Sequence, residues 1–438
     1  MVKTVIVGAG AMGLAAAHHA LKLGHEVDVV EADKVPGGMA AHFDFDGLSI
    51  ERFYHFVCKP DAPTFALLED LGIGHLMRWR TTSMAYFAKG RLHRWGDPIS
   101  LLTTGLLNPV EKVRYGLQMF ATTRRKSFDD LERRSARDWI ETGAGASVYD
   151  KLWRPLMALK FYQHQDDISA AWIATRIRRV GRSRRSLFQE ELGYIEGGSE
   201  TLVNALVQSI ERQGGRIHLG QPVEQVETEG GRVTGVRAGG RTLPAEAVIC
   251  TVPTPYVPGL VPDLPELSRA AYAGIRNIGV ICVVHKLKRS VSPHFWVNIV
   301  EPGIEIPGII EFSNLRPLPD TVVYVPYYMP TDHPKWTASD QALADESFGY
   351  MQRINPALTE DDRLAFKVGR LRFAQPLCEP GFAAKIPPIR TPIEGLQIAD
   401  TSFYYPEDRG ISEGARLARE MALAIGTDHE PRREPVFA

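Results

Sequence analysis

Short aliphatic runs and helix-like segments alternate at the beginning of the chain. Residues 5–7 form the first aliphatic run, an alanine-rich segment occupies 14–23, and a second aliphatic run covers 26–30. A short run that is apolar throughout is typical of a strand buried on both faces, and apolar residues at a helical period predict a helix. The pattern therefore predicts a strand–helix–strand unit of a parallel sheet.

The same alternation returns in the middle of the chain and near its end. The predicted elements are a helix at 202–213, strands at 216–219 and 222–226, an exposed hairpin strand at 232–237, a buried strand at 247–253, a strand at 395–400 and a helix at 415–424. Ser412 precedes the last helix at a position where a hydroxyl caps free amides. These segments predict that distant parts of the chain return to one sheet.

Two intervening blocks have a different pattern, one mainly helical and one rich in strands. Their clearest elements are helices at 101–120, 136–142 and 147–159 in the first block, and strands at 279–285 and 321–327 in the second. We therefore predict an α/β domain at 1–75, 190–262 and 385–428, a discontinuous α+β substrate domain at 76–189 and 263–384, and a flexible tail at 429–438.

Composition narrows the class of protein. The 438 residues are 44% hydrophobic and 24% charged, with a formal net charge of −1, so nothing attracts the chain as a whole to nucleic acid. No apolar run approaches the roughly 20 residues of a membrane-spanning helix. The first predicted strand leaves no room for a secretory signal, so we expect a cytoplasmic protein. The four cysteines lack metal-ligand spacing, so we expect free thiols and no metal.

The first strand runs into a glycine-rich turn, Gly8-Ala9-Gly10-Ala11-Met12-Gly13. In such a motif the first glycine permits the turn and the second lets a pyrophosphate approach the helix N-terminus. The third lets the helix pack closely on the strand. Glu31 ends the second strand at the spacing of an acid that binds a ribose. The motif predicts a dinucleotide site that prefers NAD or FAD to NADP.

A second glycine pair, Gly37-Gly38, follows Glu31 and is followed by Met39. A plain NAD site does not need this pair, whereas a chain that passes close to phosphate and flavin does. With it, the sequence resembles the flavoprotein group of flavin amine oxidases, protoporphyrinogen oxidase and carotenoid desaturases, and is most similar to its bacterial protoporphyrinogen-oxidase-like members. The resemblance implies a Rossmann-like FAD-binding domain of the glutathione-reductase type.

The resemblance also implies which residues hold FAD. They are Gly8, Gly10, Ala11, Met12, Gly13, Glu31, Ala32, Gly37, Gly38, Met39, Val223, Thr251, Asp400, Gly410, Ile411 and Ser412. Within this set, the backbone of Val223 reads the adenine and Asp400 supplies the acid for the ribityl or pyrophosphate part. The helix N-terminus near Ile411 faces the flavin pyrimidine ring. Ala399 stands where the group usually has glycine. No cysteine or histidine lies in a flavin-attachment motif, so we expect noncovalent FAD.

Three aromatic-polar clusters are candidates for the chemistry where the domains meet. The first holds Tyr54 and His55, and here a packed core histidine is an equally good interpretation. The second holds Lys160, either an anion-binding group or a snorkelling surface lysine. The third holds Tyr405 and Arg409, between Asp400 and the last helix. We predict Tyr54, His55, Tyr405 and Arg409 as the catalytic residues.

The predicted function is an FAD-dependent oxidoreductase that takes a hydride from a C–N or C–C unit of a small molecule. The strand at 278–284 lacks the lysine that flavin amine oxidases place there, which disfavours simple amine oxidation. One alternative is a non-redox, mutase-like enzyme acting on a nucleotide sugar. Another is a binding protein with structural FAD at an anionic surface.

Six arginines between 176 and 185 bear on the substrate and partners. They predict either a solvated helix face or recognition of an anionic substrate or membrane surface. The leucines at 101, 102, 106 and 107 are interpreted as core, with the entrance lip for a lipophilic substrate as the alternative.

Overall fold

The computed structural model describes residues 1–432 of the chain. Its strands are β1 (Lys3–Val7), β2 (Glu26–Val30), β3 (His42–Phe45), β4 (Leu48–Glu51), β5 (Met77–Thr82), β6 (Met84–Ala88), β7 (Arg91–Trp95), β8 (Arg184–Ser186), β9 (Gln189–Ile195), β10 (Arg216–His218), β11 (Val223–Glu229), β12 (Arg232–Ala238), β13 (Arg241–Pro244), β14 (Ala247–Cys250), β15 (Asn277–Leu287), β16 (Trp296–Ile299), β17 (Gly308–Glu311), β18 (Thr321–Met329), β19 (Arg363–Pro376) and β20 (Leu396–Ile398).

The α-helices are α1 (Ala11–Lys22), α2 (Ala62–Asp70), α3 (Pro98–Thr103), α4 (Pro109–Arg124), α5 (Ala136–Gly143), α6 (Ala146–Val148), α7 (Arg154–Phe161), α8 (Ala170–Arg182), α9 (Ser199–Arg212), α10 (Val257–Leu260), α11 (Glu266–Ala273), α12 (Asp340–Ile354) and α13 (Ile411–Leu423). A π-helical turn at Tyr149–Trp153 joins α6 to α7. None of the described helices is long and apolar enough to cross a membrane.

A five-stranded parallel sheet in the order β10-β2-β1-β14-β20 forms the first half of the molecule. Its central strand β1 and its neighbour β14 are almost wholly buried, as their uninterrupted aliphatic sequences require. Helix α1 packs against α13 and α9, so the N-terminal and C-terminal segments share one layer. The predicted return to one sheet is confirmed for the segments at 5–7, 26–30, 216–219, 247–253 and 395–400. The strands predicted at 222–226 and 232–237 instead form a separate three-stranded sheet, β11-β12-β13.

The second half is built on a seven-stranded sheet in the order β19-β15-β18-β17-β16-β6-β7. Residues 84–95 supply two of these strands, although the first intervening block was predicted as mainly helical. Strand β6 pairs with β16 because it is aliphatic and aromatic along its length and needs a buried place in a sheet, and β7 pairs with β6 at the edge. The helices α4, α5, α7 and α8 form the cover of this half.

Several predicted boundaries are wrong by a turn or more. The helix predicted at 101–120 is interrupted, because Asn108 caps a new helix whose first residue is Pro109. The last helix begins at Ile411 rather than at 415, with Gly410 as its N-cap. Of the predicted tail, residues 429–432 fold back onto α13, where His429 contacts Glu420 at 3.0 Å. Residues 433–438 lie outside the described residues.

Candidate functional site

The turn between β1 and α1 requires glycine at two positions, one because of its backbone conformation and one because of close packing. Gly8 has φ +103°, in the left-handed region that favours glycine. A Cβ on Gly13 would lie 1.9 Å from the Gly8 carbonyl oxygen, so α1 packs against the strand only without a side chain there. The Thr251 hydroxyl at the end of β14 donates to the Val7 carbonyl at 3.0 Å and closes the same turn.

The middle glycine, Gly10, faces space instead of protein. It is the N-cap of α1, and a Cβ built on it meets no described heavy atom within 4 Å. Behind it, Gly37 donates to the Ala9 carbonyl at 2.8 Å, and a Cβ on Gly38 would lie 3.0 Å from Gly10 Cα. The two glycine turns therefore lie against each other, and the open helix N-terminus between them suits a pyrophosphate.

The carboxylate of Glu31 lies beside this turn. It accepts hydrogen bonds from the amide of Ala9 at 2.7 Å and from the amide of Asp33 at 2.8 Å. Each oxygen keeps a further lone pair, because a carboxylate has about four acceptor sites. The side chain is held rigidly by the backbone and can accept from two ribose hydroxyls. Glycine turns, open helix end and fixed acid together fit the adenosine diphosphate part of FAD.

The Asp400 carboxylate is buried, and it accepts hydrogen bonds from the protein's own backbone. It accepts from the amides of Thr254 at 2.6 Å and Ser402 at 2.9 Å, and burial raises its pKa. It therefore shapes the turn that leads from β20 to α13.

Ser412, predicted as a helix cap, lies inside α13 and makes no capping bond, because Gly410 occupies the N-cap. The cap prediction is wrong. The remaining predicted cofactor residues stay predictions.

A cavity of about 250 Å³ lies between the two halves of the molecule. On the cofactor side its wall includes Met39, Gly410 and Ile411, which connects it to the second glycine turn and the start of α13. Much of the opposite wall is aromatic, including Phe53, Phe56, Trp153, Trp172, Trp296 and Tyr328. Both halves therefore contribute to one chamber, as expected for a flavin enzyme whose substrate meets the ring at the domain boundary.

Three of the four predicted catalytic residues line this cavity: Tyr54, His55 and Arg409. Burial lowers the pKa of His55 to about 4, so the imidazole is neutral, and its Nδ1 has no hydrogen-bond partner within the described chain. Burial raises the pKa of Tyr54 well above its ordinary value. Both side chains therefore enter any reaction as neutral groups.

Arg409 and Tyr405, the last pair of predicted catalytic residues, lie in different surroundings. Arg409 donates to the Ala374 carbonyl and, at 2.9 Å, to the Tyr328 hydroxyl, and its guanidinium lies over the Tyr328 ring. Tyr405 is outside the cavity wall, with its hydroxyl between Ser169 and Glu132. Tyr405 thus fixes the segment before Arg409 and does not face the chamber.

The cavity also holds cations that the sequence analysis did not assign to catalysis. They are Lys160 from α7 and Arg176 and Arg179 from α8. Arg176 pairs with Asp408 at 2.9 Å, and Arg179 pairs with Asp61 at 2.6 Å. The interpretation of the arginine run as a solvated face is wrong for these two. Their helical spacing of three residues, on a helix rich in alanine, was the available signal.

A third arginine of α8, which is buried, holds the segment that precedes α13. Arg178 donates to Glu407 at 2.8 Å, and the Thr175 hydroxyl donates to the Pro406 carbonyl at 2.6 Å. Together with the Arg176–Asp408 pair, these bonds fasten residues 406–408 to α8. Helix α8 therefore positions Arg409 and the start of α13 at the cavity.

His18, His19 and Asp70 bring three ligand-type atoms within 4.8 Å of one another. Both ring nitrogens of His18 already have partners, Ser209 and Asp70, each at 2.8 Å. Lys22 also donates to Asp70. The cluster is accounted for as an ion-pair network between α1 and α2.

Comparison with known proteins agrees with this geometry. A family model described as flavin containing amine oxidoreductase matches residues 13–399. The zeta-carotene-forming phytoene desaturase of Myxococcus xanthus is 28% identical over 284 residues, covering 58% of this chain and 54% of the relative. Coproporphyrinogen III oxidase of Bacillus subtilis is 27% identical over 297 residues, covering 60% of this chain and 62% of the relative.

A solved structure of reduced UDP-galactopyranose mutase superposes with a TM-score of 0.74 at 15% identity, covering 98% of this chain and 97% of the mutase, which shows a common fold. The matches span less than two thirds of the length of the two curated relatives. The family match, in contrast, covers most of the chain, from the first glycine turn to the strand that ends beside Asp400. The α/β fold with its FAD-binding half and the predicted resemblance are confirmed, and the chain belongs to the flavin-containing amine oxidoreductase family, whose cofactor is FAD.

Proposed function

We propose that this protein is an FAD-dependent oxidoreductase that removes a hydride from a C–N or C–C unit of a small molecule. One observation carries the proposal: a single cavity joins the second glycine turn and the start of α13 to an aromatic wall, most of which comes from the other half of the chain. Met39 and Ile411 would lie beside a bound flavin ring, and a substrate held by the aromatic wall would be next to it.

Bound FAD supplies the two-electron acceptor. The chain supplies the surroundings of the reacting atoms. Trp296 and Tyr54 pack edge to face at 5.5 Å and exclude water from one side of the chamber. His55 is neutral because burial lowers its pKa to about 4, so its Nδ1, which has no partner in the described chain, can form a hydrogen bond with the substrate. Arg409, fixed by Tyr328, places a positive charge beside the start of α13.

Two other functions give different results in one experiment. A mutase-like enzyme turns over a nucleotide sugar only after reduction of its flavin, and a binding protein with structural FAD is reduced by no substrate. The mutase alternative relied on the arginine run to hold a diphosphate. Arg176, Arg178 and Arg179 are instead paired with Asp408, Glu407 and Asp61, which favours the oxidoreductase.

The test is anaerobic titration of the purified, flavin-loaded protein with amines, porphyrinogens, polyenes and nucleotide sugars, followed by flavin absorbance. Bleaching by one of the first three classes supports the proposal. Turnover of a nucleotide sugar that requires prior reduction with dithionite overturns it in favour of the mutase. Lack of bleaching by every class, with flavin bound, overturns it in favour of the binding protein.

We also propose that the protein contacts an anionic membrane surface from the cytoplasm. Helix α4 exposes an apolar stripe, Val110, Val113, Leu117 and Phe120, of which Leu117 is 64% exposed. Leu102 of the neighbouring α3 is 69% exposed and extends it, so its interpretation as core is wrong, whereas Leu106 and Leu107 are buried as predicted.

The charge around this stripe supports a lipid surface rather than a second apolar protein face. Residues 98–127 contain five basic residues and one acidic residue, Glu111, which is already paired with Lys151 at 2.7 Å. Lys and Arg beside an exposed apolar helix face suit anionic headgroups.

The four cysteines are free and buried, which supports a reducing compartment.

Sedimentation with vesicles tests this contact. We expect binding to vesicles containing phosphatidylglycerol, weaker binding to pure phosphatidylcholine, and loss of binding in Leu117→Glu. Leu267→Glu is the matched control, because Leu267 is 87% exposed on α11, in the other half of the chain. Equal binding by Leu117→Glu and the control contradicts the proposal. Dimerisation of the wild type that only Leu117→Glu abolishes assigns the stripe to a second copy instead.

A further inference from the structure

The amino group of Lys160 lies in the cavity without a polar partner. Its Nζ is 4.9 Å from the centre of the Tyr328 ring, 5.0 Å from that of Trp172 and 5.5 Å from that of Phe161. No hydrogen bond or ion pair joins it to any residue between 1 and 432. An aromatic cage attracts a cation, yet a partly buried ammonium beside three ring faces lacks acceptors for its three donors.

The charges around Lys160 are unbalanced. The described cavity wall has four lysine or arginine side chains (Lys160, Arg176, Arg179, Arg409) and one carboxylate (Asp408). Arg176 is neutralised by Asp408 and Arg179 by Asp61. Arg409 donates only to uncharged acceptors. The chamber therefore has room for one or two negative charges.

The two unbalanced cations belong to different walls. Arg409 precedes Gly410 and the start of α13, on the cofactor side, whereas Lys160 is on α7 in the substrate half. Trp172 joins Lys160 to Arg176, because the Arg176 guanidinium lies 4.7 Å from the centre of the same ring. Lys160 and the Arg176–Asp408 pair thus lie at one corner of the chamber, beside apolar and aromatic surface.

We propose that Lys160 binds a carboxylate or phosphate group of the substrate while the substrate's apolar body lies against the aromatic wall. The proposal rests on the proposed function, because it specifies the substrate class of the same chamber. A substrate of this class has an anionic end and an apolar or aromatic portion that carries the oxidised bond.

Binding of such an anion should take up a proton. Burial first, then the neighbouring Arg176, lowers the pKa of Lys160 well below its ordinary value, with Arg409 acting in the same direction and Asp408 and Cys378 opposing. Without a bound anion, the charged form of Lys160 is therefore less favourable than it is for a lysine in water. An arriving anion stabilises the ammonium, so the amine takes one proton from the buffer acid and an ammonium–anion pair forms.

Isothermal titration calorimetry of the flavin-loaded protein tests both statements. The probes share a phenylpropyl body and differ at one end: 3-phenylpropionate, 3-phenylpropyl phosphate, 3-phenylpropanol and 3-phenylpropylamine. We expect at least one anion to bind about 10- to 100-fold more tightly than the alcohol, the range for one hydrogen bond to a charged group. Whichever anion binds more tightly identifies the group as carboxylate or phosphate. Titration in buffers of different ionisation enthalpy should show uptake of about one proton.

Variants test whether Lys160 itself, rather than the total positive charge of the protein, causes the preference for anions. Lys160→Met should remove both the preference for anions and the proton uptake, while Lys160→Arg should keep the preference without uptake. Arg154→Met is the matched control, because Arg154 is an exposed basic residue at the other end of α7 and pairs with Asp150 at the surface. It should behave as the wild type.

Three results overturn the proposal: tightest binding of the alcohol or the amine, an unchanged anion preference in Lys160→Met, or no binding of any probe by the wild type. Binding is measured here without turnover. A protein that binds the anion as expected but is never reduced by a substrate of this class would contradict the proposed function and leave the anion site intact.

Discussion

The substitution Gly10→Ala separates the cofactor role of the glycine turn from its role in packing. Gly10 has φ −67° and ψ 171°, an extended conformation that alanine adopts without strain. The added methyl group meets no described heavy atom within 4 Å. The apoprotein should therefore fold normally, with an unfolding free energy within about 1 kcal/mol of the wild type.

The same methyl group occupies the space through which a pyrophosphate reaches the amides at the start of α1. Loss of a single hydrogen bond to a charged group costs about 1.5–3 kcal/mol. The affinity for FAD should therefore fall by about 10- to 100-fold or more. Gly13→Ala provides the contrast, because its Cβ would lie 1.9 Å from the Gly8 carbonyl oxygen and must disturb the fold itself.

The assay is reconstitution of the apoprotein with FAD, followed by flavin fluorescence, alongside urea unfolding of the same apoprotein. We expect Gly10→Ala to unfold like the wild type and to bind FAD weakly. We expect Gly13→Ala to lose stability as well as FAD. Full FAD affinity in Gly10→Ala would refute the placement of the pyrophosphate at this turn, and a large loss of apoprotein stability would refute the packing argument.

Three further predictions follow from other contacts. Glu31→Ala removes the acceptor beside the turn and should lower FAD affinity at least about tenfold, measured by the same reconstitution; unchanged affinity would show that Glu31 only braces Ala9 and Asp33. Burial lowers the pKa of His55 from 6.5 to about 4, so the unfolded chain binds a proton that the folded chain does not as the pH falls through this interval. Urea unfolding should show that this contribution to the unfolding free energy is present above pH 6.5 and lost towards pH 4. In His55→Phe, the slope of the unfolding free energy against pH should be shallower by up to about 1.4 kcal/mol per pH unit. Equal slopes in the two proteins would contradict the neutral histidine. Arg178→Met leaves Glu407 buried without this arginine and should cost about 3 kcal/mol in urea unfolding; a loss below about 1 kcal/mol would show that the pair does not fasten the segment before α13.

The cofactor half could be predicted from the sequence because its signals are local. Glycine spacing, an acid at a fixed distance and short aliphatic strands each act over a few residues. The five-stranded sheet contains most of the predicted strand segments, whereas those at 222–226 and 232–237 form a separate sheet. The start of α13 was placed too late, because Gly410 caps the helix without any side-chain signal.

The cavity could be predicted only in part, because its residues come from segments that are distant in sequence. Tyr54, His55 and Arg409 were found as aromatic-polar clusters, and all three line the chamber. Arg176 and Arg179 were hidden in a run that also fits a solvated helix. Their role depends on Asp408 and Asp61, which lie more than a hundred residues away in the chain. The sequence around these two acids does not indicate that they pair with the arginines.

The most direct test of the account is the visible spectrum of the purified protein, before and after heat denaturation, and during anaerobic addition of a substrate. We predict a flavin band near about 450 nm that is released by denaturation as noncovalent FAD, and bleached by an amine, a porphyrinogen or a polyene. A protein that carries no flavin and takes up none on reconstitution would contradict the central claim.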